Sequence, residues 1–269
     1  MPVEMLAKKR KRDLEESEAS SPSQPKAKEN ISLIESVNSL PISEFIHRYV
    51  PSYALNLTIQ LAVNSSDDTP EESRRRVYSL QFYTAASMPE AYMDACYNLI
   101  YLTSSTAYKQ STSGWSSRKK RQEMKLLDMR YMVLVAENEH APEGKSEMAP
   151  IGGFLSFMVT DEDGIPVLYC YEIHLAPEVQ HKGVGKQLLR IFEDIGRNVG
   201  LQKGMLTVFK SNRSATRFYE RIGFTEDASS PKPTKLRNGR MREFDYMIMS
   251  LSFTSSDGDC MDTTDHDLS

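Results

Sequence analysis

The sequence predicts an α/β domain with one central sheet, and three features of the 269-residue chain support this prediction. First, strand-like and helix-like patterns alternate along the C-terminal half, an order that packs helices against a sheet. Second, a glycine-bearing segment, QHKGVGKQLL at 180–189, joins a predicted strand to a predicted helix. Third, the apolar residues of that helix recur at a spacing that forms one stripe, through Leu188, Phe192, Ile195 and Val199.

Hydrophobic spacing gives the elements in chain order. The predicted helices cover residues 31–50 with a break at Pro41, then 89–108, 114–128, 186–200 and 214–224. Pro89 opens the second of these helices, because proline favours the first helical turn. The predicted strands cover residues 54–63, 75–85, 130–138, 149–160, 167–176, 204–210 and 243–253.

Both ends of the chain differ in composition from the middle. Residues 1–29 are rich in charge, Ser and Pro, so they cannot bury enough apolar surface and are predicted to be a disordered tail. The basic run Lys8 to Arg12 within them is either a nuclear localisation signal or part of a solvated tail. Residues 254–269 carry five Asp and no Lys or Arg, which predicts a disordered acidic tail, so the domain is placed at 30–253.

Composition excludes several classes of protein. A formal net charge of −4 argues against direct nucleic-acid binding, which favours a basic chain. The cysteines, Cys96, Cys170 and Cys260, show no metal-ligand or disulfide spacing, so no metal is expected and a reducing compartment fits best. No apolar run approaches the ~20 residues of a membrane span, and no secretory signal is visible. We therefore expect a soluble intracellular protein without a membrane partner.

The glycine segment is typical of a phosphate site, because backbone N–H groups at a helix N-terminus attract anions. A P-loop is excluded, since Gln187 follows Gly185 and Lys186 where Ser or Thr is needed. The dinucleotide fingerprint also fails, because Leu188 replaces its third glycine. Two interpretations remain for the pattern Gln180-x-x-Gly183-x-Gly185: an anion-binding loop, or a glycine turn that simply enters a helix.

This pattern resembles the Q/R-x-x-G-x-G/A loop of the GCN5-related N-acetyltransferase (GNAT) superfamily, and LTVFKSNRSATRFYERIGF at 206–224 resembles the section that follows it there. The resemblance implies a single GNAT fold, with a central mixed twisted sheet flanked by helices and a bulged strand beside the acetyl-CoA loop. It also implies that acetyl-CoA is the co-substrate. The implied cofactor-binding residues are Ile173, His174, Leu175, Gln180, His181, Lys182, Gly183, Val184, Gly185, Lys186, Asn212 and Tyr219, the last also standing where many GNAT enzymes place a general acid.

A finer resemblance covers roughly residues 90–250. The segments VLYCYEIHLAPEVQHKGVGKQLL, MLTVFKSN, ASSP and GWSSRKKRQEM, together with the spacing of Tyr108 and Trp115, are similar to NatD-type N-α-acetyltransferases. This implies acetylation of the N-terminal serine of histone H4 and histone 2A tails, which begin Ser-Gly-Arg-Gly. A monomer in the nucleus and cytoplasm is expected. Two alternatives stay open: a GNAT lysine or small-amine acetyltransferase, and a non-catalytic module that binds acetyl-CoA or a histone tail.

The residue chemistry fits an α-amine, whose reference pKa of about 7.7–8.0 requires only a modest base. Glu172 lies in an apolar strand, where burial is expected to raise its pKa, and the resemblance also places the catalytic glutamate there. In a regular strand the neighbouring side chains of Tyr171 and Glu172 point to opposite faces of the sheet. Both can therefore contact one substrate only if the strand is bulged or the site wraps an edge of the sheet. Tyr169 is either catalytic or part of the core.

For the peptide, the resemblance implies contacts from Tyr108, Thr160, Asp161, Glu162, Tyr171, Thr207, Ser230 and Tyr246. Carboxylates at 161–162 suit a substrate that brings an ammonium and an arginine, although the same residues also fit an ordinary hairpin turn. The basic helix SSRKKRQEMK at 116–125 is interpreted as a solvated face rather than a nucleosome or coenzyme contact.

Overall fold

A computed structural model describes residues 33–62, 75–137, 151–235 and 239–254. The predicted tails, 1–29 and 254–269, lie outside these ranges except for Thr254. The strands are β1 (Thr58–Ala62), β2 (Arg75–Thr84), β3 (Arg130–Ala136), β4 (Ile151–Glu162), β5 (Ile165–Leu175), β6 (Lys203–Phe209), β7 (Thr225–Glu226), β8 (Thr234–Lys235), β9 (Met241–Arg242) and β10 (Tyr246–Ser252).

Eight of these strands form the central sheet, in the order β1-β2-β3-β4-β5-β6-β10-β7, while β8 and β9 pair separately. All neighbours in the large sheet are antiparallel apart from β5 and β6, which run parallel. The parallel pairing covers three positions and ends at the pair Cys170–Leu206. Beyond that pair the two strands separate, which opens the middle of the sheet at the C-terminal ends of β5 and β6.

Strand β5 contains the expected bulge. Ser156 of β4 pairs with Glu172, but the next residue, Phe157, pairs with Cys170, so Tyr171 is the extra residue of the ladder. A bulge changes which side chains share a face of the strand. It lies directly before the point where β5 and β6 separate, and this places Tyr171 and Glu172 together at the opening.

Among the residues that the structure describes, six helices and a helical segment at 33–38 surround the sheet. The helices are α1 (Ile42–Tyr49), α2 (Ser52–Leu55), α3 (Glu90–Gln110), α4 (Ser117–Met124), α5 (Val184–Val199) and α6 (Arg213–Ile222). Helix α5 begins two residues before its predicted start, because Gly183 adopts a left-handed φ of 80° and serves as the N-cap. Gly200, at φ 85°, ends the same helix.

The sheet is packed on both faces. On one face Phe157 of β4 meets Phe45 of α1 and Phe192 of α5, with ring centroids 6.1 and 6.2 Å apart. On the other face α3 lies against β4 and β5. The α/β prediction and its mixed central sheet are therefore confirmed. The last strand begins at Tyr246 rather than 243, and the two-residue strands β7, β8 and β9 were too short to show a pattern.

Candidate active site

A cavity of about 710 Å³ lies where β5 and β6 separate. Its walls come from the end of β5, the end of β6, the loop before α5, helix α6 and the side of α3. Most of the predicted site residues line it: Tyr108, Tyr171, Glu172, Ile173, His174, Leu175, Gln180, His181, Gly183, Gly185, Lys186, Thr207, Asn212, Tyr219 and Tyr246.

The loop before α5 is shaped to present backbone N–H groups. His181 and Gly183 both have positive φ, and the Gln180 side chain donates to the carbonyl of Leu175 at 2.9 Å, which fixes the loop on the end of β5. A side chain at Gly185 would come within 3.1 Å of the Phe218 ring, so this position also needs a glycine. Such a loop at the start of a 16-residue helix suits an anion.

The charges near the loop agree with an anion site. The first turn of α5, which the structure describes in full, holds no acidic side chain. Lys182 and Lys186 are both exposed beside it. Lys182 and the buried Val184 are the two predicted loop residues that do not line the cavity.

On the opposite wall, Asn212 caps helix α6 by accepting a hydrogen bond from the Ala215 amide at 3.1 Å. Tyr219, on the same helix, is almost fully buried, and burial raises the pKa of its hydroxyl well above the ordinary range. Tyr219 is therefore a neutral hydroxyl that can donate a hydrogen bond.

Glu172 lies at the centre of a buried polar cluster. Its Oε1 is 2.7 Å from the Lys120 Nζ, and its Oε2 is 2.6 Å from the His174 Nε2. Lys120 also donates to Glu123 Oε2 at 3.0 Å and to the Tyr108 hydroxyl at 3.1 Å. The exposed fractions of Lys120, Glu123, Glu172 and His174 are all between 5 and 8%.

The prediction that Glu172 has a raised pKa is wrong. Burial alone would raise it, but the Lys120 ammonium and the His174 ring more than offset that effect, and the pKa lies well below its usual range. The Lys120 ammonium is stabilised in turn: burial lowers its pKa, whereas the Glu172 carboxylate raises it above the ordinary value. The pair is therefore ionised at neutral pH.

Lys120 is a site residue that sequence reasoning missed. The interpretation of its helix as a solvated face holds for the exposed Arg118 and Lys119 but is wrong for Lys120. A signal was present, since Lys120 stands four residues before Met124 and so shares its inward face. Met124 is itself buried, and the Lys120 ammonium lies over the Tyr108 ring, with Nζ 4.7 Å from the ring centroid.

The two tyrosines of β5 differ in their surroundings. Tyr171 lines the cavity, as the bulge allows. Tyr169 is 1% exposed and does not line it, and its hydroxyl is 2.5 Å from the Thr207 hydroxyl. Its ring packs against Tyr171 at 5.3 Å. Tyr169 thus lies behind the cavity wall and supports two residues that line it, Tyr171 and Thr207.

Four predicted peptide contacts lie away from this cavity: Thr160, Asp161, Glu162 and Ser230. Asp161 accepts a hydrogen bond from the Gly164 amide at 3.0 Å, as in an ordinary hairpin turn, while Thr160 and Glu162 are buried. The Ser230 hydroxyl accepts from the Ile248 amide at 3.2 Å and holds the 226–230 segment against β10.

The described residues contain neither a candidate metal site nor a candidate membrane-spanning helix. No cluster of three or more His, Cys, Asp or Glu side chains there is arranged to hold a metal ion. None of the helices in the same ranges has the length and apolar character needed to cross a membrane. Cys96 and Cys170 are buried thiols, and Cys260 lies outside the described ranges.

Comparison with known proteins agrees with this geometry. Residues 96–224 match the acetyltransferase (GNAT) family, and the parallel β5–β6 pair, its opening and the glycine loop fall inside that match. The match covers just under half of the chain and supports a GNAT acetyltransferase domain there. It is also similar to N-alpha-acetyltransferase 40 of Saccharomyces cerevisiae (strain ATCC 204508 / S288c), with 28% identity over 187 residues, and this supports the NatD-type resemblance. That match covers 62% of this chain and 64% of the yeast protein's length.

Solved structures give more distant likenesses. The ribosomal-protein-S18-alanine N-acetyltransferase of Escherichia coli is 20% identical, covers 66% of this chain and 96% of its own, and has a TM-score of 0.41. The spermidine N-acetyltransferase of Vibrio cholerae, in complex with CoA and spermine, is 17% identical over 64% of this chain and 95% of its own, with a TM-score of 0.43. At these values the likenesses say nothing about the substrate of this chain.

Proposed function

We propose that this protein transfers the acetyl group of acetyl-CoA to the N-terminal α-amine of a protein. One observation carries the proposal: an ionised, buried carboxylate, Glu172, and an anion-binding loop face the same cavity, on either side of the point where β5 and β6 separate. Acyl transfer to an amine needs both features, because a negative charge at the site favours removal of a proton from the amine and the loop holds the acyl donor in place. The name of the yeast relative, an N-alpha-acetyltransferase, supports it.

The cavity suits acetyl-CoA. The loop N–H groups from Gln180 to Lys186 would hold the pyrophosphate, with the exposed Lys182 and Lys186 nearby for further phosphate charge. The β5–β6 pairing ends at Cys170, so an extended ligand can lie along the part of β5 that follows. Asn212 and Tyr219 would lie along the opposite side of the pantetheine arm.

The transfer moves one acetyl group to the nitrogen and removes two protons from it. The substrate ammonium loses one proton, and the neutral nitrogen then attacks the thioester carbonyl carbon. The C–S bond breaks, the electron pair leaves on sulfur, and the second nitrogen proton reaches the thiolate directly or through solvent. A thiol pKa of about 8.5 makes this thiolate a fair leaving group, so a proton from Tyr219 is optional. Glu172 and Tyr171 are the proposed catalytic residues, and Tyr169, which lies behind the cavity wall, is proposed to position Tyr171.

For the acceptor we propose the N-terminal serine of histone H4 and histone 2A tails that begin Ser-Gly-Arg-Gly. Tyr108, Tyr171, Thr207 and Tyr246 lie on the cavity wall where the peptide N-terminus would enter. The substrate arginine is assigned to Asp161 or Glu162, beside Thr160, and Ser230 is proposed to act through the backbone it holds. These assignments extend the NatD-type resemblance to the substrate.

The proposal is tested with acetyl-CoA and a peptide beginning Ser-Gly-Arg-Gly-Lys, supplied with a free or a chemically blocked N-terminus. We expect mass spectrometry to place one acetyl group on the serine α-amine of the free peptide and none on the blocked peptide. Acetyl on lysine in both peptides would move the protein to the lysine class. Binding of acetyl-CoA without transfer to this peptide or to a mixed panel of amines would favour a binding module.

We also propose that the protein is a monomer present in nucleus and cytoplasm. The basis for the nuclear fraction is the basic run Lys8 to Arg12, which lies outside the described residues. Replacing that run with alanine in a fluorescently tagged full chain should lower the nuclear signal, and an unchanged distribution would contradict its role as a signal. Sedimentation analysis of the full chain tests the monomer.

A further inference from the structure

His174 is held at both ring nitrogens. Its Nε2 is 2.6 Å from Glu172 Oε2, and its Nδ1 is 2.6 Å from the Thr103 hydroxyl oxygen. Because Glu172 is an ionised acceptor, the hydrogen in the first contact must lie on Nε2. In a neutral ring Nδ1 is then bare and can accept the single Thr103 hydroxyl hydrogen, which in its other orientation is donated to the Leu99 carbonyl.

Thr103 connects this ring to the cavity. Thr103 and Ser104 of α3 both line the cavity, and Thr103 is an exposed residue whereas His174 is 8% exposed. A chain of hydrogen bonds therefore leads from the Thr103 hydroxyl at the cavity surface through the His174 imidazole to the Glu172 carboxylate. It has the order in which a hydroxyl, a histidine base and an orienting carboxylate are joined in hydrolytic triads, although here the hydroxyl meets Nδ1 rather than Nε2.

The Thr103 hydroxyl has a second acceptor within reach. Its oxygen is 2.8 Å from the Leu99 carbonyl, one helical turn earlier. When Nδ1 gains a proton it becomes a donor to the Thr103 oxygen, and the hydroxyl hydrogen can turn to Leu99. The His174 ring can thus hold one additional proton through the rotation of a single hydroxyl, with both of its nitrogens still hydrogen-bonded.

The groups around the His174–Glu172 pair keep Glu172 ionised. The titratable groups around the pair are Glu172 and Cys170 on β5, Tyr108 on α3, Lys120 and Glu123 on α4, Tyr131 on β3 and Tyr219 on α6. Burial keeps the thiol and the three phenols neutral. Lys120 occupies Oε1 of Glu172 and makes this carboxylate a poor proton acceptor.

We propose that His174 is the proton acceptor of this site, that the Thr103 hydroxyl passes the proton to it, and that Glu172 orients the ring and balances its charge. This inference rests on the proposed function. The amine, or one water bound to it, gives a proton to the Thr103 oxygen as the hydroxyl hydrogen moves to Nδ1. The imidazolium is paired with Glu172 and later returns the proton to solvent. His174 and Thr103 act as relay residues, rather than as the coenzyme contact expected for His174.

The kinetic test compares Thr103→Val with Thr103→Ser, and His174→Gln with the wild type. Val removes the hydroxyl at the same size, Ser keeps it, and Gln keeps a donor toward Glu172 without a site for the proton. We expect kcat to fall about 10- to 100-fold in the Val and Gln variants and within about threefold in the Ser variant. The KM for acetyl-CoA should stay within twofold in all three.

The pH profile separates a relay from a structural role. Wild-type kcat should have a limb on the acidic side that is lost in His174→Gln, because only the wild type has a ring that must be neutral to accept the proton. Equal kcat in the Val and Ser variants, or a His174→Gln enzyme with the wild-type profile, would overturn the proposal and leave Glu172 as the direct acceptor.

A spectroscopic test does not depend on whether the protein is enzymatically active. In the ¹⁵N spectrum of the free protein, the His174 signals, assigned by their absence in His174→Gln, should show a hydrogen on Nε2 and none on Nδ1 at high pH. A hydrogen on Nδ1 would overturn the relay. If the wild type acetylates no amine, the proposed function fails, and this spectrum still decides whether the ring can take a proton from Thr103.

Discussion

Lys120 Nζ lies 2.7 Å from Glu172 Oε1, although the two residues are 52 positions apart, on helix α4 and strand β5. Both side chains are buried, and the attraction between the two charges offsets the cost of removing each of them from water. Burial of a charge is tolerated in proteins when a partner and hydrogen bonds are supplied. This pair therefore supports the site and the stability of the fold together.

Replacing Lys120 with Met should destabilise the protein by about 3–5 kcal/mol at neutral pH, because Glu172 is left buried without its ammonium partner. The Glu172 pKa is depressed in the folded state, so its stabilisation is present above the ordinary carboxyl pKa and is lost as pH falls through the depressed value. The difference between wild type and Lys120→Met in urea unfolding should thus shrink in acid. Lys119→Met, at the exposed neighbour, should change stability by less than about 0.5 kcal/mol. Equal losses in both variants would contradict the pair's role.

Glu172→Gln should lower acetyl transfer by at least about 100-fold and leave acetyl-CoA affinity unchanged, because the amide can neither accept a proton nor balance an imidazolium. Calorimetric titration with acetyl-CoA and a peptide assay measure the two effects. The variant also leaves Lys120 unpaired, so some loss of stability is expected.

The double variant Lys120→Met/Glu172→Gln separates chemistry from folding. With both charges removed, most of the lost stability should return, because neither buried group is left unpaired, while activity should stay low. Full activity in Glu172→Gln, or activity restored in the double variant, would remove Glu172 from the mechanism.

The sequence predicted the fold well wherever the signal was local. The apolar stripe of α5 and the glycine that begins the helix are both legible within twenty residues. Lys120 was missed because its partner is distant in sequence, and helical spacing alone does not tell a lysine at the edge of an apolar face from a buried one. The Glu172 pKa was predicted in the wrong direction for the same reason, since burial was visible and the balancing charge was not.

Asp227 should make the C-terminal part of the sheet sensitive to acid. Burial by itself would raise its pKa, but Lys203 at 2.6 Å and the Ser229 amide and hydroxyl hold the pKa well below its usual range. The stabilisation of the fold by the ionised Asp227 carboxylate is therefore fully present above about pH 4, and it is lost as the pH falls through the depressed pKa. Asp227→Asn should cost about 1.5–3 kcal/mol at pH 7 and progressively less in acid, measured by urea unfolding across pH. Glu226→Gln, at the exposed neighbour, is the control, and a pH-independent cost at Asp227 would contradict the charge argument.

Gly183 and Gly200 occupy the two ends of helix α5 with nearly the same backbone, φ 80° and 85°, and a Cβ on either would meet no atom within 4 Å. Alanine at either position should therefore cost a similar strain of about 1–2 kcal/mol, measured by thermal or urea unfolding. Only Gly183 lines the cavity, where its conformation aims the loop N–H groups. Gly183→Ala should raise the KM for acetyl-CoA about tenfold, whereas Gly200→Ala should leave it unchanged. If the two variants have the same KM, the 180–186 loop does not hold the coenzyme, and the phosphate must bind elsewhere on the cavity wall.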